Sequence, residues 1–391
     1  MTSPTIFWFR RDLRLQDNPG LTAALARRGP VIPVFILDPE TEALGAAPKW
    51  RLGAGLEVFA QSLAQAGSRL ILRRGPASDV LEALVAETGA EAVHWSRAYD
   101  PASITRDTAV KSSLKDLGVE AVSHAGHVMF EPWKVETGQG NFYKVYTPFW
   151  KAVRSRDPGE PLPVPSDLQA PEHWPASDML EDWALGAAMR GGAAVVARHA
   201  RVGEAEAADR LGAFIEDRVA EYSNDRDRLD RDGTSGLSEN LALGEISPRQ
   251  CWAAGMAAHA RGSAGAETFV KEVVWREFAY HLLFHTPQIA EKNWRPEWDG
   301  FPWRGESDAV DRWRRGRTGE PVIDAAMRQL YVTGTMHNRA RMLVASYLTK
   351  HLMTHWRIGQ QWFEDCLIDW DPASNAMGWQ WAAGSGPDAA P

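Results

Sequence analysis

Between residues 5 and 124, five short runs of β-branched and aromatic residues alternate with stretches rich in Ala, Leu and Glu. No other feature narrows the possible folds as far. TIFWFR (5–10), VIPVFIL (31–37), SRLILRR (68–74), AVHWSR (92–97) and a weaker VEAVSH (119–124) predict strands, and Trp50–Gln65 and Ser78–Glu87 predict helices between them. Such alternation calls for a parallel sheet, because each helix returns the chain to the edge where the last strand began. The expectation is a doubly wound α/β domain with a five-stranded parallel sheet over residues 1–125. No GxGxxG follows the first strand, which argues against a dinucleotide held in the Rossmann manner.

A proline-rich passage follows, with Pro158, Pro161, Pro163, Pro165, Pro171 and Pro175. It suits neither helix nor central strand, so residues 126–195 are expected to form a connector over the surface. Helical patterns dominate afterwards and predict an all-α domain over 196–391. Ten of the eighteen tryptophans lie in the last 121 residues, which puts the aromatic-rich core there. A chain of 391 residues suits two or three domains. No apolar run is long enough to span a membrane and the start lacks a signal-peptide stretch, so no membrane partner is expected. Two cysteines without metal-ligand spacing, Cys251 and Cys366, point to a reducing compartment, with the cytoplasm as the expected location. Net charge is −8, yet Lys271–Pro391 carries 14 basic and 15 acidic residues. That near-neutral segment leaves room for a local basic groove able to contact phosphates.

Four segments carry candidate chemistry. Asp369–Trp381, DWDPASNAMGWQW, gathers two carboxylates, an amide and three indoles. Such groups can hold and stack a polar heterocycle; a capped aromatic core corner is the alternative. GTSGLS (233–238) offers hydroxyls and glycines before a helix, as a phosphate cradle or as a plain N-cap. In EVVWREF (272–278) Glu272, Trp275 and Arg276 stand at i, i+3 and i+4, so they either read and stack a base or form a surface pair beside a buried indole. In MHNRARM (336–342) Asn338, Arg341 and Met342 share a face, Arg339 points elsewhere, and Arg341 could pair with Asp369 or Asp371. No Ser–His–Asp set or metal cluster stands out, so a cofactor is expected to supply the chemistry.

These segments, in this order, resemble the flavin-binding half of the DNA photolyase/cryptochrome family. WFRRDLRLQDNPGL (8–21) and VYTPFW (145–150) resemble the start and interdomain region of the same proteins. The likeness covers essentially the whole chain and is most like a class I cyclobutane pyrimidine dimer photolyase.

The resemblance implies a U-shaped FAD. Tyr222, Thr234, Ser235, Gly236, Leu237 and Ser238 would serve its phosphates and ribityl chain. Arg276, Arg341, Asp369, Asp371 and Asn375 would lie about its rings, Asn375 facing the flavin N5. It implies an electron chain of Trp379, Trp356 and Trp303. Glu272, Trp275, Asn338 and Met342 would meet a flipped pyrimidine dimer, and Arg226, Arg276, Arg339 and Trp381 would contact DNA. Asn338 beside His337, rather than a second His, argues against the (6-4) substrate. The implied activity is light-dependent dimer repair by a deoxyribodipyrimidine photo-lyase acting as a monomer. The alternative is a cryptochrome-type blue-light receptor. SITRD (103–107) lacks the Asn-Glu pair of folate-binding members, so a second antenna chromophore of folate, deazaflavin or flavin type stays open. Thr335 and Gly236 depart from the family pattern. Family members continue beyond DAAP, so the chain is expected to be C-terminally truncated.

Overall fold

The structure is a computed structural model that describes residues 3–389; the outermost residues of the two terminal spans expected above lie outside the described residues. The five expected strands form: β1 (Thr5–Phe9), β2 (Val31–Leu37), β3 (Ile71–Arg74), β4 (Ala92–Ser96) and β5 (Glu120–His124). They pair in parallel in the order β3-β2-β1-β4-β5. Period-2 alternation sends Phe7 and Phe9 to one face and Ile6 and Trp8 to the other, and both faces are covered. Helix α2 (Ala46–Gln65) covers the first face through Leu52, Leu56, Phe59 and Leu63. Helices α3 (Ala77–Thr88) and α4 (Pro101–Asp116) cover the second through Leu81, Leu84, Val110 and Leu114. Pro33 sits inside β2 because pairing with β3 starts only at Val34. Three helices of this half went unread from sequence: α4, the single turn Pro39–Glu42, and α1 (Pro19–Leu25), the last capped by the Asn18 side chain on Leu21 N–H.

Part of the expected connector belongs to the helical half. Helix α5 (Tyr146–Val153) buries Tyr146, Phe149, Trp150 and Val153 in one cluster with Trp252, Val274 and Phe278. After it come α6 (Glu204–Asp217), α7 (Ser238–Leu243), α8 (Pro248–Ala260), α9 (Ala266–His285), α10 (Asp308–Arg314) and α11 (Pro321–Thr333). The last three are α12 (Asn338–Ser346), α13 (Trp356–Cys366) and α14 (Pro372–Ala383). Among the described residues no helix is long and apolar enough to cross a membrane.

A buried ion cluster joins the halves. Arg51 of α2, fully buried, donates to Glu239 at 3.1 Å and to Glu245 at 2.9 and 2.6 Å. Removing that guanidinium would leave buried Glu245 without an ionic partner and Glu239 with Arg210 alone, a loss of about 3–5 kcal/mol. The backbones approach closely at Gly244 (φ 66°), where a Cβ would lie 2.1 Å from Arg11 O.

Candidate functional site

Helix α14 starts as its sequence dictates. Asp371 Oδ1 accepts Ser374 N–H at 2.8 Å as N-cap, Pro372 fills the first turn, and Gly384 (φ 84°) ends the helix. The capping reading of this aspartate is therefore correct, and its second oxygen accepts from Tyr280 Oη. Asp369 differs. Oδ2 accepts Arg341 Nη2 at 2.6 Å, which realises the expected pairing, while Oδ1 is buried with no partner. Gln380 is fully used as a structural tie, accepting Trp294 N–H and donating to Ile289 O and Lys292 O.

Asp369 and Asp371 wall a cavity of about 490 Å³ opened between α9, α12, α13 and α14, a volume proper to a small-molecule site. Asp369, Asp371, Asn375, Trp379, Arg341 and Phe363 form its inner part. Asn375 Nδ2 donates to Gln360 O at 3.2 Å. Two wall indoles, Trp370 and Trp379, have buried Nε1 atoms without a partner. Three buried polar atoms left unpaired on one cavity imply a polar ligand, since each otherwise carries a desolvation penalty of about 1–3 kcal/mol.

The outer part holds Arg226, Glu272, Trp275, Asn338, Arg339, Met342 and Trp381. Glu272 Oε1 accepts Arg226 Nη1 at 2.5 Å. Burial raises its carboxyl above the ordinary value, with Arg226 opposing. Trp275 is fixed from behind: Tyr146 lies parallel to it, centroids 3.7 Å apart and planes at 7°, and Tyr146 Oη donates to Lys271 O at 2.6 Å. The indole therefore keeps one face for the cavity. His337 caps α12, its Nδ1 accepting Arg339 N–H at 3.1 Å, and burial lowers its pKa. Nδ1 is thus committed to the helix cap, while Nε2 is buried without a partner.

The three tryptophans differ in depth. Trp379 lines the cavity, Trp356 is fully buried, and Trp303 is half-buried. Gly359, one turn beyond Trp356 on α13, makes room for Trp379: a Cβ there would sit 2.0 Å from its ring. His355 stands 5.5 Å from Trp303 and 5.4 Å from Trp356, ring centre to ring centre. Sequence reading missed Trp313, 6.2 Å from Trp379, and Tyr280, Tyr146 and Phe363.

Several expectations need correction. Arg276 does not face the cavity; it donates to His127 O at 2.7 Å and lies over Tyr280. Positions i+3 and i+4 fall on opposite sides of Glu272, and the cavity took the Trp275 side. Arg339 was expected to point away from the Asn338 face, yet it joins the wall and reaches Met342 Sδ at 3.4 Å. Tyr222, Thr234, Ser235, Gly236, Leu237 and Ser238 are not cavity walls. Tyr222 is buried against Phe214 and Phe269, Leu237 is in the same cluster, and Gly236 O accepts from Arg210. No hydroxyl of the loop caps α7, so those of Thr234, Ser235 and Ser238 remain available to another group.

A second cleft of about 340 Å³ lies where β1, β2 and β4 end. The strand order reverses at β1/β4, and such a switch point is where open α/β sheets bind ligands. Three of its wall charges are paired: Arg10 with Asp107, behind the wall, at 2.7 Å, and Arg106 with Asp38 at 2.8 Å and with Asp107 at 3.0 Å. Trp370 lines both this cleft and the larger cavity.

Comparison with known proteins agrees with this arrangement. Residues 5–166 match the family model for DNA photolyase, and residues 269–391 match the FAD binding domain of DNA photolyase. The chain is 47% identical over 393 residues to a deoxyribodipyrimidine photo-lyase of Agrobacterium fabrum, covering 100% of this chain and 82% of the relative. It is 34% identical over 412 residues to cryptochrome-2 of Arabidopsis thaliana, covering 99% and 66%. A crystal structure of a bacterial class III photolyase from Agrobacterium tumefaciens superposes with TM-score 0.97 at 46% identity, covering 100% and 82%. That description names class III where class I was expected, so the family rather than the subclass is carried forward.

Proposed function

The chain belongs to the DNA photolyase family, and from that premise we propose that it repairs cyclobutane pyrimidine dimers in DNA with light, using FAD in the helical cavity. One observation carries the reading. Glu272, Trp275, Asn338 and Met342 converge on the outer wall of a cavity whose inner wall keeps Asp369 Oδ1 buried and unpaired. The inner wall fits FAD: the orphaned carboxylate oxygen and indole N–H groups suit a polar tricyclic ring, and Arg341 fixes Asp369 at 2.6 Å. Arg341, Asp369, Asp371 and Asn375 would hold the rings. The uncommitted hydroxyls of Thr234, Ser235 and Ser238 would serve the phosphates and ribityl chain. Reduced FAD, when bound, supplies light-driven donation and recovery of one electron.

The chain's own residues do the rest. Trp275, braced by Tyr146, offers one flat face to a flipped base, and such stacking contributes roughly 1–3 kcal/mol. That offsets a flipping cost of a few kcal/mol, which is smaller for a damaged pair. Glu272, held on the wall by Arg226 at 2.5 Å, can hydrogen-bond the base edge of the dimer. Arg226 and Arg339 at the rim can take backbone phosphates. Trp379, Trp356 and Trp303 run from the cavity to a half-exposed position and can restore the reduced state. The interdomain cleft, at the switch point and one indole away, suits a second light-harvesting chromophore.

The test is illumination of reduced, flavin-loaded protein with an oligonucleotide carrying one thymine dimer, following recovery of pyrimidine absorbance. Recovery is expected. Light-driven flavin redox changes without recovery would move the chain to the photoreceptor reading.

A further inference from the structure

Residues 225–232 read DRDRLDRD, and most of these charges close on near neighbours. Asp225 pairs with Arg231 at 3.1 Å, Arg228 with Asp230 at 2.6 Å, and Asp232 with Arg218 at 2.8 Å. Two members reach across the cavity mouth instead. Arg226 Nη1 meets Glu272 Oε1 at 2.5 Å. Asp227 Oδ1 accepts Arg339 Nη2 of α12 at 2.7 Å and lies 3.7 Å from Arg226 Nε. One carboxylate oxygen is therefore set between two guanidiniums, and both arginines line the mouth while Asp227 stands outside it, half exposed.

Two guanidiniums around one anionic oxygen is the setting that a phosphodiester seeks. We infer that Asp227 occupies the seat of a DNA backbone phosphate and acts as an internal competitor that every DNA must displace. This rests on the repair reading above. The exchange is feasible because an exposed ion pair is weak and salt-screened. Its cost is the same for damaged and undamaged DNA, and it is offset fully only when a flipped dimer also gains the cavity contacts. Asp227 thereby weakens binding to undamaged DNA, where phosphate contacts supply nearly all the affinity. The other aspartates of the run cannot do this, since their partners lie within the loop or on Arg218.

The experiment compares flavin-loaded protein with its Asp227→Asn, Arg226→Gln and Arg339→Gln variants. Each is titrated against an undamaged duplex and the same duplex with one thymine dimer, over a range of NaCl. Asp227→Asn is expected to tighten binding to undamaged duplex by roughly 3- to 10-fold at low salt. Its log–log salt slope should steepen by about 0.9, the value of one further phosphate contact, and the ratio of dimer to undamaged affinity should stay near its parent value. The inference alone is overturned if the arginine variants weaken binding while Asp227→Asn binds undamaged duplex no more tightly than the parent. Arginine variants that bind both duplexes as tightly as the parent would overturn the DNA-facing reading of the mouth, and this inference with it.

Discussion

The two cavities share the indole of Trp370 but treat charge in opposite ways. At the interdomain cleft the carboxylates of Asp38 and Asp107 are paired with Arg10 and Arg106 within 3.0 Å, and the unpaired buried atoms are the indole N–H groups of Trp8 and Trp370. In the helical cavity Asp369 keeps one oxygen buried without a partner, and Trp379 keeps an unpaired N–H. A cleft whose carboxylates are paired can hold its shape with or without a guest. One that leaves a carboxylate oxygen unpaired gains stability when its ligand binds. The difference marks the helical cavity as the place where a bound group belongs to the folded state, and the cleft as the place for an accessory.

The largest effect that could break this contrast is loss of Arg341. Arg341→Ala would leave Asp369 wholly uncompensated, so flavin retention should drop at least tenfold, read from the visible-to-ultraviolet absorbance ratio of purified protein. Arg106→Gln in the cleft should leave that ratio near its parent value. Equal flavin loss in both variants would erase the distinction. Next is Trp275→Ala, expected to weaken dimer binding by about 5- to 150-fold, the equivalent of 1–3 kcal/mol of stacking, with flavin retained. Tyr146→Ala should produce part of that loss and add nothing in the Trp275→Ala background; additive losses would show that Tyr146 acts elsewhere. Trp379→Phe should slow photoreduction roughly tenfold or more while repair by pre-reduced protein persists, a split that transient absorption and the repair assay resolve separately.

The smallest effect concerns Glu277, fully buried near the junction, whose Oε2 accepts the N–H groups of Met129 at 2.8 Å and Phe130 at 3.1 Å. Burial pushes its carboxyl up to about 7, against an ordinary 4.5, with Arg276 opposing. A raised pKa means that the folded state holds the proton more tightly. Its contribution is therefore full below pH about 4.5 and is lost as pH rises through about 7, up to ~3 kcal/mol in all. Glu277→Gln should flatten the fall in melting temperature between pH 5 and pH 8 by a few degrees; an unchanged slope would assign the pH dependence to other groups.

Local chemistry was legible where one stretch of chain contains its own explanation. β1, β2 and β4 appear within a residue of their expected ends because their apolar runs are dense and flanked by turns. The capping role of Asp371 follows from D-P at the start of an aromatic helix. Helix α4 was unreadable for a stated reason: its buried positions are Asp107, Val110 and Leu114, so an aspartate interrupts the apolar period. Asp107 is buried because Arg10, from the end of β1, reaches it. Arg276 was misjudged because helical spacing states which residues share a broad face, and not which edge of that face a neighbouring segment will cover.

By itself the sequence determined the parallel α/β half, the helical aromatic half, the family likeness and the residue types available to hold a flavin and a base. These follow from periodicity, caps and motif chemistry, all short-range properties of the chain. The tertiary structure alone decided which oxygen of Asp369 stays unpaired, that Tyr146 braces Trp275, that Trp370 divides two cavities, and that Asp227 bridges two arginines. Each of those depends on side chains brought together from distant segments, and pairing, burial and orphaning come into being only when distant groups meet.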